Sequence, residues 1–153
     1  MANILLLDDD AEHLWSLQVA LESDGHRVSV ADSAARALDI LRRVPIELLI
    51  TDYQMPGING VELCRIVRAQ LAYCALPILM LSAAPEPHHA PRLWNLFLRK
   101  PARMDDLSVA IDAHVAARLP RAKRHPVASF GAVLKCQHPP ASRWAPVTAG
   151  CWP

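Results

Sequence analysis

The pattern of apolar and polar residues along the chain predicts an alternation of strands and helices. Short, continuous apolar runs are typical of strands that are buried on both faces of a parallel sheet. Such runs cover residues 3–7, 27–30, 46–51, 77–81 and 96–99. Apolar residues at helical spacing predict helices over 11–23, 34–43, 60–71 and 105–115. This alternation implies right-handed crossovers, so we predict a doubly wound α/β fold with a five-stranded parallel sheet.

The connection between the fourth and fifth predicted strands departs from this alternation. It contains Pro85, Pro87 and Pro91, each of which lacks a backbone donor and interrupts a helix. Only residues 90–95 keep a pattern that is compatible with a helix. We therefore predict that the fourth helix is shortened or replaced by irregular chain.

Polar side chains follow four of the five predicted strands at the point where each strand ends. In an open parallel sheet, ligands bind at the carboxyl ends of the strands. The residues at these ends are Asp8, Asp9 and Asp10, then Asp52, then Ser82, and finally Lys100. We expect these side chains to converge on one edge of the sheet.

Converging carboxylates repel one another, and a hard divalent cation relieves that repulsion. Oxygen ligands favour Mg²⁺ as the bound ion. A carboxylate beside such an ion can attack phosphorus and form an aspartyl phosphate. Because the transferring phosphoryl group spreads negative charge over three oxygens, it needs cationic and hydrogen-bonding partners. Lys100 and Ser82 offer an ammonium group and a hydroxyl group for this purpose.

Four short motifs resemble those of the receiver domains of two-component response regulators, and they occur in the order found in that family. They are LDDD at 7–10, TDYQMPG at 51–57 with Gly60 following, LSA at 81–83, and KP at 100–101. The resemblance covers about residues 2–119. It implies a flavodoxin-like fold with the strand order 2-1-3-4-5.

The resemblance also implies a role for each acidic residue. Asp52 corresponds to the phosphoacceptor, and its carboxylate also binds Mg²⁺ before transfer. Asp9 resembles the direct metal ligand, and Asp8 resembles the partner that holds the ion mainly through water. The backbone carbonyl of Gln54 is expected to complete the protein's share of the coordination.

Further positions match residues that contact the phosphoryl group or respond to it. Lys100 resembles the lysine that pairs with a phosphoryl oxygen, and the resemblance implies a cis peptide bond before Pro101. Ser82 matches the switch residue whose hydroxyl turns onto the phosphoryl group. Phe97 matches the aromatic switch position that moves inward with it.

Charge and proline content divide the chain near residue 120. Residues 1–119 contain all 15 acidic residues, whereas residues 120–153 contain five basic residues, six prolines and no acidic residue. We expect a receiver domain over 1–119 and a disordered, basic tail over 120–153. The tail has no helix-turn-helix pattern, so we predict a stand-alone receiver without a DNA-binding domain. No secretory signal or membrane span is evident, and we expect a cytoplasmic protein.

These features predict a signalling protein and not an enzyme. The expected donor is a phosphohistidine on a sensor histidine kinase or a histidine phosphotransfer protein, and the expected output is binding to an unknown downstream protein. Two alternatives stay open. One is a receiver-like interaction module that works without phosphorylation. The other is a haloacid-dehalogenase-like phosphatase in which Asp8, the first residue of an Asp-x-Asp motif, is the nucleophile.

Overall fold

The five strands form a single parallel sheet, as predicted. In a computed structural model, which describes residues 1–88 and 90–116, the strand order is β2-β1-β3-β4-β5 and every pairing is parallel. The strands are β1 (Asn3–Leu7), β2 (Arg27–Ala31), β3 (Leu48–Asp52), β4 (Ile78–Ser82) and β5 (Leu96–Arg99). The predicted doubly wound fold with the order 2-1-3-4-5 is confirmed.

Four helices cover the two faces of this sheet in the part of the chain that the structure describes. They are α1 (Ala11–Ser23), α2 (Ala34–Arg43), α3 (Gly60–Ala69) and α4 (Met104–Ala116), of which α4 follows β5. Asp10 caps α1, because its carboxylate accepts hydrogen bonds from the backbone N–H groups of Glu12 and His13. Asn59 caps α3 in the same way through the N–H of Glu62.

The core consists of two apolar layers, one on each face of the sheet. Side chains in β1 alternate between them: Leu5 and Leu7 pack in the layer under α2 and α3, whereas Ile4 and Leu6 pack in the layer under α1 and α4. All four are essentially inaccessible to solvent. Burying one such side chain stabilises the fold by about 1.5–3 kcal/mol, so the central strands and their ends are held firmly.

The connection between β4 and β5 is irregular, as predicted. Residues 83–88 and 90–95 contain no helix, so the helical pattern at 90–95 was misleading. The indole of Trp94 supplies the packing instead: it is 4% exposed and lies in the layer under α2 and α3. Its Nε1 donates to Oε1 of Glu86 at 2.8 Å, which ties the two halves of the connection together.

Arg68 at the end of α3 attaches this connection to the rest of the domain. Its Nε donates to the carbonyl oxygen of Leu93 at 3.0 Å, and its Nη1 donates to the carbonyl oxygen of Leu76 at 2.6 Å. These bonds satisfy backbone acceptors that have no helix to pair with. Side-chain hydrogen bonds therefore hold the irregular chain in place, where a helix would use backbone hydrogen bonds.

The predicted tail at 120–153 lies outside the described residues. Within residues 1–88 and 90–116, none of the helices combines the length and the apolar character that crossing a bilayer requires.

Candidate functional site

The residues predicted at the strand ends do meet at one edge of the sheet. Asp52 is the last residue of β3 and Ser82 is the last residue of β4, while Asp8 and Lys100 directly follow β1 and β5. The parallel register keeps these ends level, since Leu7 lies opposite Thr51 and Ser82 lies opposite Arg99. The topology thus assembles the site from residues far apart in the chain.

Three carboxylates form the centre of the site. One oxygen from each of Asp8, Asp9 and Asp52 lies within 4.8 Å of the others. Asp8 and Asp52 are buried, at 3% and 9% exposure, whereas Asp9 is exposed. An all-oxygen donor set of this size fits a hard divalent cation such as Mg²⁺, with Asp9 on the solvent side. These residues therefore suit the predicted cofactor.

Lys100 connects the two buried carboxylates. Its Nζ lies 2.7 Å from Oδ2 of Asp8 and 3.0 Å from Oδ2 of Asp52. Burial raises the pKa of the Asp8 carboxyl, but hydrogen bonds from Lys100, the backbone N–H of Asp10 and His13 outweigh burial and hold the pKa below its ordinary value. Burial likewise lowers the pKa of Lys100, and its bonds to Asp8 and Asp52 outweigh this and raise the pKa. Asp8 and Lys100 are therefore both charged near neutral pH.

The Asp52 carboxylate is oriented by the loop that follows β3. Its Oδ1 accepts hydrogen bonds from the backbone N–H groups of Tyr53, at 2.6 Å, and Gln54, at 3.3 Å. Its Oδ2 accepts from Lys100. Gln54 thus lies beside Asp52, and the role of its backbone carbonyl as a metal ligand stays a prediction.

Gly60 allows the loop to return close to Asp52. A Cβ atom on Gly60 would lie 2.4 Å from the backbone carbonyl oxygen of Asp52, which is closer than any carbon can approach. The backbone N–H of Gly60 donates to the carbonyl oxygen of Tyr53 at 2.9 Å. The absence of a side chain here lets α3 begin directly beside the end of β3.

Ser82 and Phe97, the two predicted switch residues, lie at the end of β4 and within β5, and their switching role stays a prediction. Ser82 is fully buried, and its Oγ accepts a hydrogen bond from the backbone N–H of Ala84 at 3.0 Å. Phe97 is half-buried, and the centre of its ring lies 6.5 Å from that of Trp94. The peptide bond between Lys100 and Pro101 is cis, as predicted.

Among the described residues, His13 contacts the acidic cluster although the sequence analysis did not include it in the site. Its Nδ1 lies 2.5 Å from Oδ2 of Asp8. A signal was present: Asp10 caps α1, and a side chain three residues after an N-cap can reach back toward the loop before the helix. That geometry places His13 on the loop that carries the acidic cluster.

The parallel sheet, the acidic cluster and the lysine between two carboxylates are the features that the sequence predicted for a receiver domain. The model of the response regulator receiver domain family matches residues 4–112. The chain belongs to that family, so the resemblance found in the sequence is confirmed.

Two relatives of different kinds, a sensor histidine kinase and a transcriptional regulatory protein, are each similar to this chain over part of their length. The chain is 37% identical over 114 residues to the sensor histidine kinase AruS of Pseudomonas aeruginosa, covering 71% of this chain and 11% of that protein. It is 32% identical over 130 residues to the transcriptional regulatory protein FixJ of Bradyrhizobium diazoefficiens, covering 82% of this chain and 62% of that protein. In both cases the chain spans less than two thirds of the relative's length.

Solved structures agree with this assignment. A putative response regulator from Chloroflexus aurantiacus is 31% identical and superimposes with a TM-score of 0.68, covering 75% of this chain and 98% of that one. A response regulator receiver domain protein from Clostridium thermocellum is 26% identical, also with a TM-score of 0.68, covering 77% of this chain and 97% of that one.

Proposed function

We propose that the protein accepts a phosphoryl group on Asp52 from a phosphohistidine donor, with Mg²⁺ bound at the acidic cluster, and that it signals by binding another protein. The observation that carries this proposal is the position of the Asp52 carboxylate. Lys100 and two backbone N–H groups orient it, and Asp8 and Asp9 lie beside it. A nucleophile held in this way is ready for in-line attack.

In the proposed reaction, a carboxylate oxygen of Asp52 forms a bond to phosphorus while the bond from phosphorus to the donor's imidazole nitrogen breaks. The electron pair of that bond stays with the imidazole, which leaves. When held by Asp8, Asp9, Asp52 and the backbone carbonyl of Gln54, Mg²⁺ supplies positive charge that offsets the charge of the carboxylates and the phosphoryl oxygens. Asp52 acts as an acceptor in this scheme, and the protein is not a turnover enzyme.

Lys100 and Ser82 are proposed to stabilise the product. The ammonium group of Lys100 already contacts Oδ2 of Asp52, so a small shift would bring it to a phosphoryl oxygen. The Ser82 hydroxyl accepts from Ala84 and retains its own proton to donate to the phosphoryl group. We propose that Phe97 moves inward with Ser82 and changes its contact with Trp94.

The proposed donor is a sensor histidine kinase or a histidine phosphotransfer protein, and the proposed location is the cytoplasm. The similarity to AruS and FixJ supports a place in two-component signalling, because those proteins are named as a sensor histidine kinase and a transcriptional regulator. The downstream protein is recognised through the surface that changes with phosphorylation. The absence of a DNA-binding domain stays a prediction.

The proposal is tested by treating the purified protein with acetyl phosphate and Mg²⁺ and measuring its intact mass. We expect the wild type to gain one phosphoryl group and Asp52→Asn to gain none. An equal gain in Asp52→Asn would disprove the assignment of the acceptor. A wild type that stays unmodified would favour the phosphorylation-independent module. Turnover of a phosphomonoester that survives Asp52→Asn but not Asp8→Asn would favour the phosphatase.

A further inference from the structure

Three hydrogen-bond donors contact the Asp8 carboxylate. Its Oδ2 is bonded both to Nδ1 of His13 at 2.5 Å and to Nζ of Lys100 at 2.7 Å. Its Oδ1 accepts from the backbone N–H of Asp10 at 3.0 Å. An ionised carboxylate is only an acceptor, so His13 must be the donor in its bond to Asp8.

These bonds occupy Oδ2 completely. A carboxylate oxygen offers two lone pairs, and Oδ2 of Asp8 has two donors within hydrogen-bond distance. A cation, or a water molecule bound to it, can use Oδ2 only if one donor leaves. Lys100 is held by a second bond, to Asp52, and its side chain is 19% exposed. The side chain of His13 is 35% exposed, and Asp8 is the one described residue that its ring bonds. His13 is therefore the donor that can leave at lower cost.

We propose that His13 is a positioning residue that competes with Mg²⁺ for Oδ2 of Asp8, the oxygen that Lys100 links to Asp52, and thereby weakens binding of the cation. This inference rests on the proposed function, since it concerns the cation that the acidic cluster is proposed to bind. Its consequence is that the site takes up Mg²⁺ at a higher concentration than the three carboxylates alone would require.

His13 could in principle have the opposite effect, by holding the Asp8 side chain in the orientation that binds the cation. The geometry argues against this effect. Without His13, the carboxylate is still held at Oδ2 by Lys100 and at Oδ1 by the N–H of Asp10. Removing His13 therefore frees a lone pair without releasing the side chain. Nδ1 of an imidazole can donate whether the ring is neutral or protonated, so the competition does not depend on a change of charge.

The test is a calorimetric titration of Mg²⁺ into four proteins: the wild type, His13→Ala, His13→Asn and His114→Ala. We expect His13→Ala to bind Mg²⁺ about three- to tenfold more tightly, as suits the loss of one competing hydrogen bond. His13→Asn should stay close to the wild type, because the Asn amide offers a donor near the position of Nδ1. His114→Ala is the matched control: it removes a histidine from the last turn of α4, where its Nδ1 contacts the carbonyl oxygen of Ala110.

A second readout separates competition from a purely structural effect. In the wild type, the ¹⁵N resonances of the His13 imidazole should shift as Mg²⁺ is added, because the ring leaves Asp8. The inference would be overturned if His13→Ala bound Mg²⁺ no more tightly than the wild type. It would also be overturned if the imidazole resonances of the wild type did not shift when Mg²⁺ was added. Failure of the wild type itself to bind Mg²⁺ would instead refute the proposed function.

Discussion

The guanidinium group of Arg68 donates from Nη2 to Oδ1 of Asn95 at 3.0 Å, and the same oxygen accepts the backbone N–H of Ile78 at 2.9 Å. Asn95 directly precedes β5, and Ile78 begins β4. One side chain of α3 therefore sets the spacing at the start of two neighbouring strands. In a sheet whose β4–β5 connection lacks a helix, this contact holds β5 in register.

Replacing Arg68 with Met should lower the free energy of unfolding by about 2–4 kcal/mol. The change leaves the partly buried carbonyl groups of Leu76 and Leu93 without their charged donor, and an acceptor that loses such a bond is costly. Arg65→Met is the matched control on the same helix, because Arg65 is exposed and Glu62 is its one ion-pair partner among the described residues. Urea denaturation should show a change of about 1 kcal/mol or less for Arg65→Met. Equal losses in the two variants would contradict the role assigned to Arg68.

A Gly60→Ala substitution should lower the free energy of unfolding and slow the phosphorylation of Asp52. The new Cβ would overlap the backbone carbonyl of Asp52, so α3 or the end of β3 has to shift. We expect a loss of about 1–3 kcal/mol in unfolding free energy, typical of overpacking. Phosphorylation by acetyl phosphate should also slow in protein that is still folded. Gly57→Ala is a useful comparison: its cost comes from its positive φ of 77° and not from a clash.

Lys100→Met should destabilise the protein in Mg²⁺-free buffer. Removing the ammonium group leaves the carboxylates of Asp8 and Asp52 without the cation that both of them contact. Breaking a buried pair costs about 3–5 kcal/mol, and the partial exposure of Lys100 places the expected loss at the lower end of that range. Arg99→Met, at the neighbouring exposed position, should cost much less. Adding Asp8→Asn to Lys100→Met should recover part of the loss, and strictly additive effects would argue against coupling.

The pair of Asp8 and Lys100 also predicts a pH dependence of stability. Because the pKa of folded Asp8 lies below 3.8, its charge stabilises the fold above pH 3.8, and this contribution is lost as the pH falls through the folded pKa. The pKa of folded Lys100 lies above 10.5, so its contribution is present below pH 10.5 and is lost as the pH rises through the folded value. In Mg²⁺-free buffer, wild type should exceed Asp8→Asn in stability near neutral pH. Urea titrations at acid pH should show this difference shrinking, and a constant difference would refute the prediction.

The sequence was informative wherever a local signal coincided with an element boundary. Asp52 and Lys100 could be placed because each follows an apolar run, and the ends of parallel strands share one edge. The loss of the fourth helix could be predicted from Pro85, Pro87 and Pro91, because proline interrupts a helix through its own backbone. The same local reasoning extended α3 to Leu71, whereas the helix ends at Ala69 and Leu71 is largely exposed.

The features that escaped prediction depend on contacts between distant residues or on the direction of a side chain. Arg68 reads as an ordinary helix residue, and its bonds to Leu93 and Asn95 exist only after the sheet has formed. The place that Trp94 takes in the core, in the absence of a helix, depends on how the folded connection crosses the sheet. His13 was overlooked because its role depends on the direction in which the first turn of α1 points its side chain.

The irregular connection and β5 together form a loop that begins and ends at residues of the candidate site. The chain leaves the sheet at Ser82 and returns through β5 to Lys100, where the backbone N–H of Lys100 donates to the carbonyl oxygen of Ser82 at 2.8 Å. Any displacement of this connection would therefore move Ser82 and Lys100 together, so its position is mechanically linked to the candidate site.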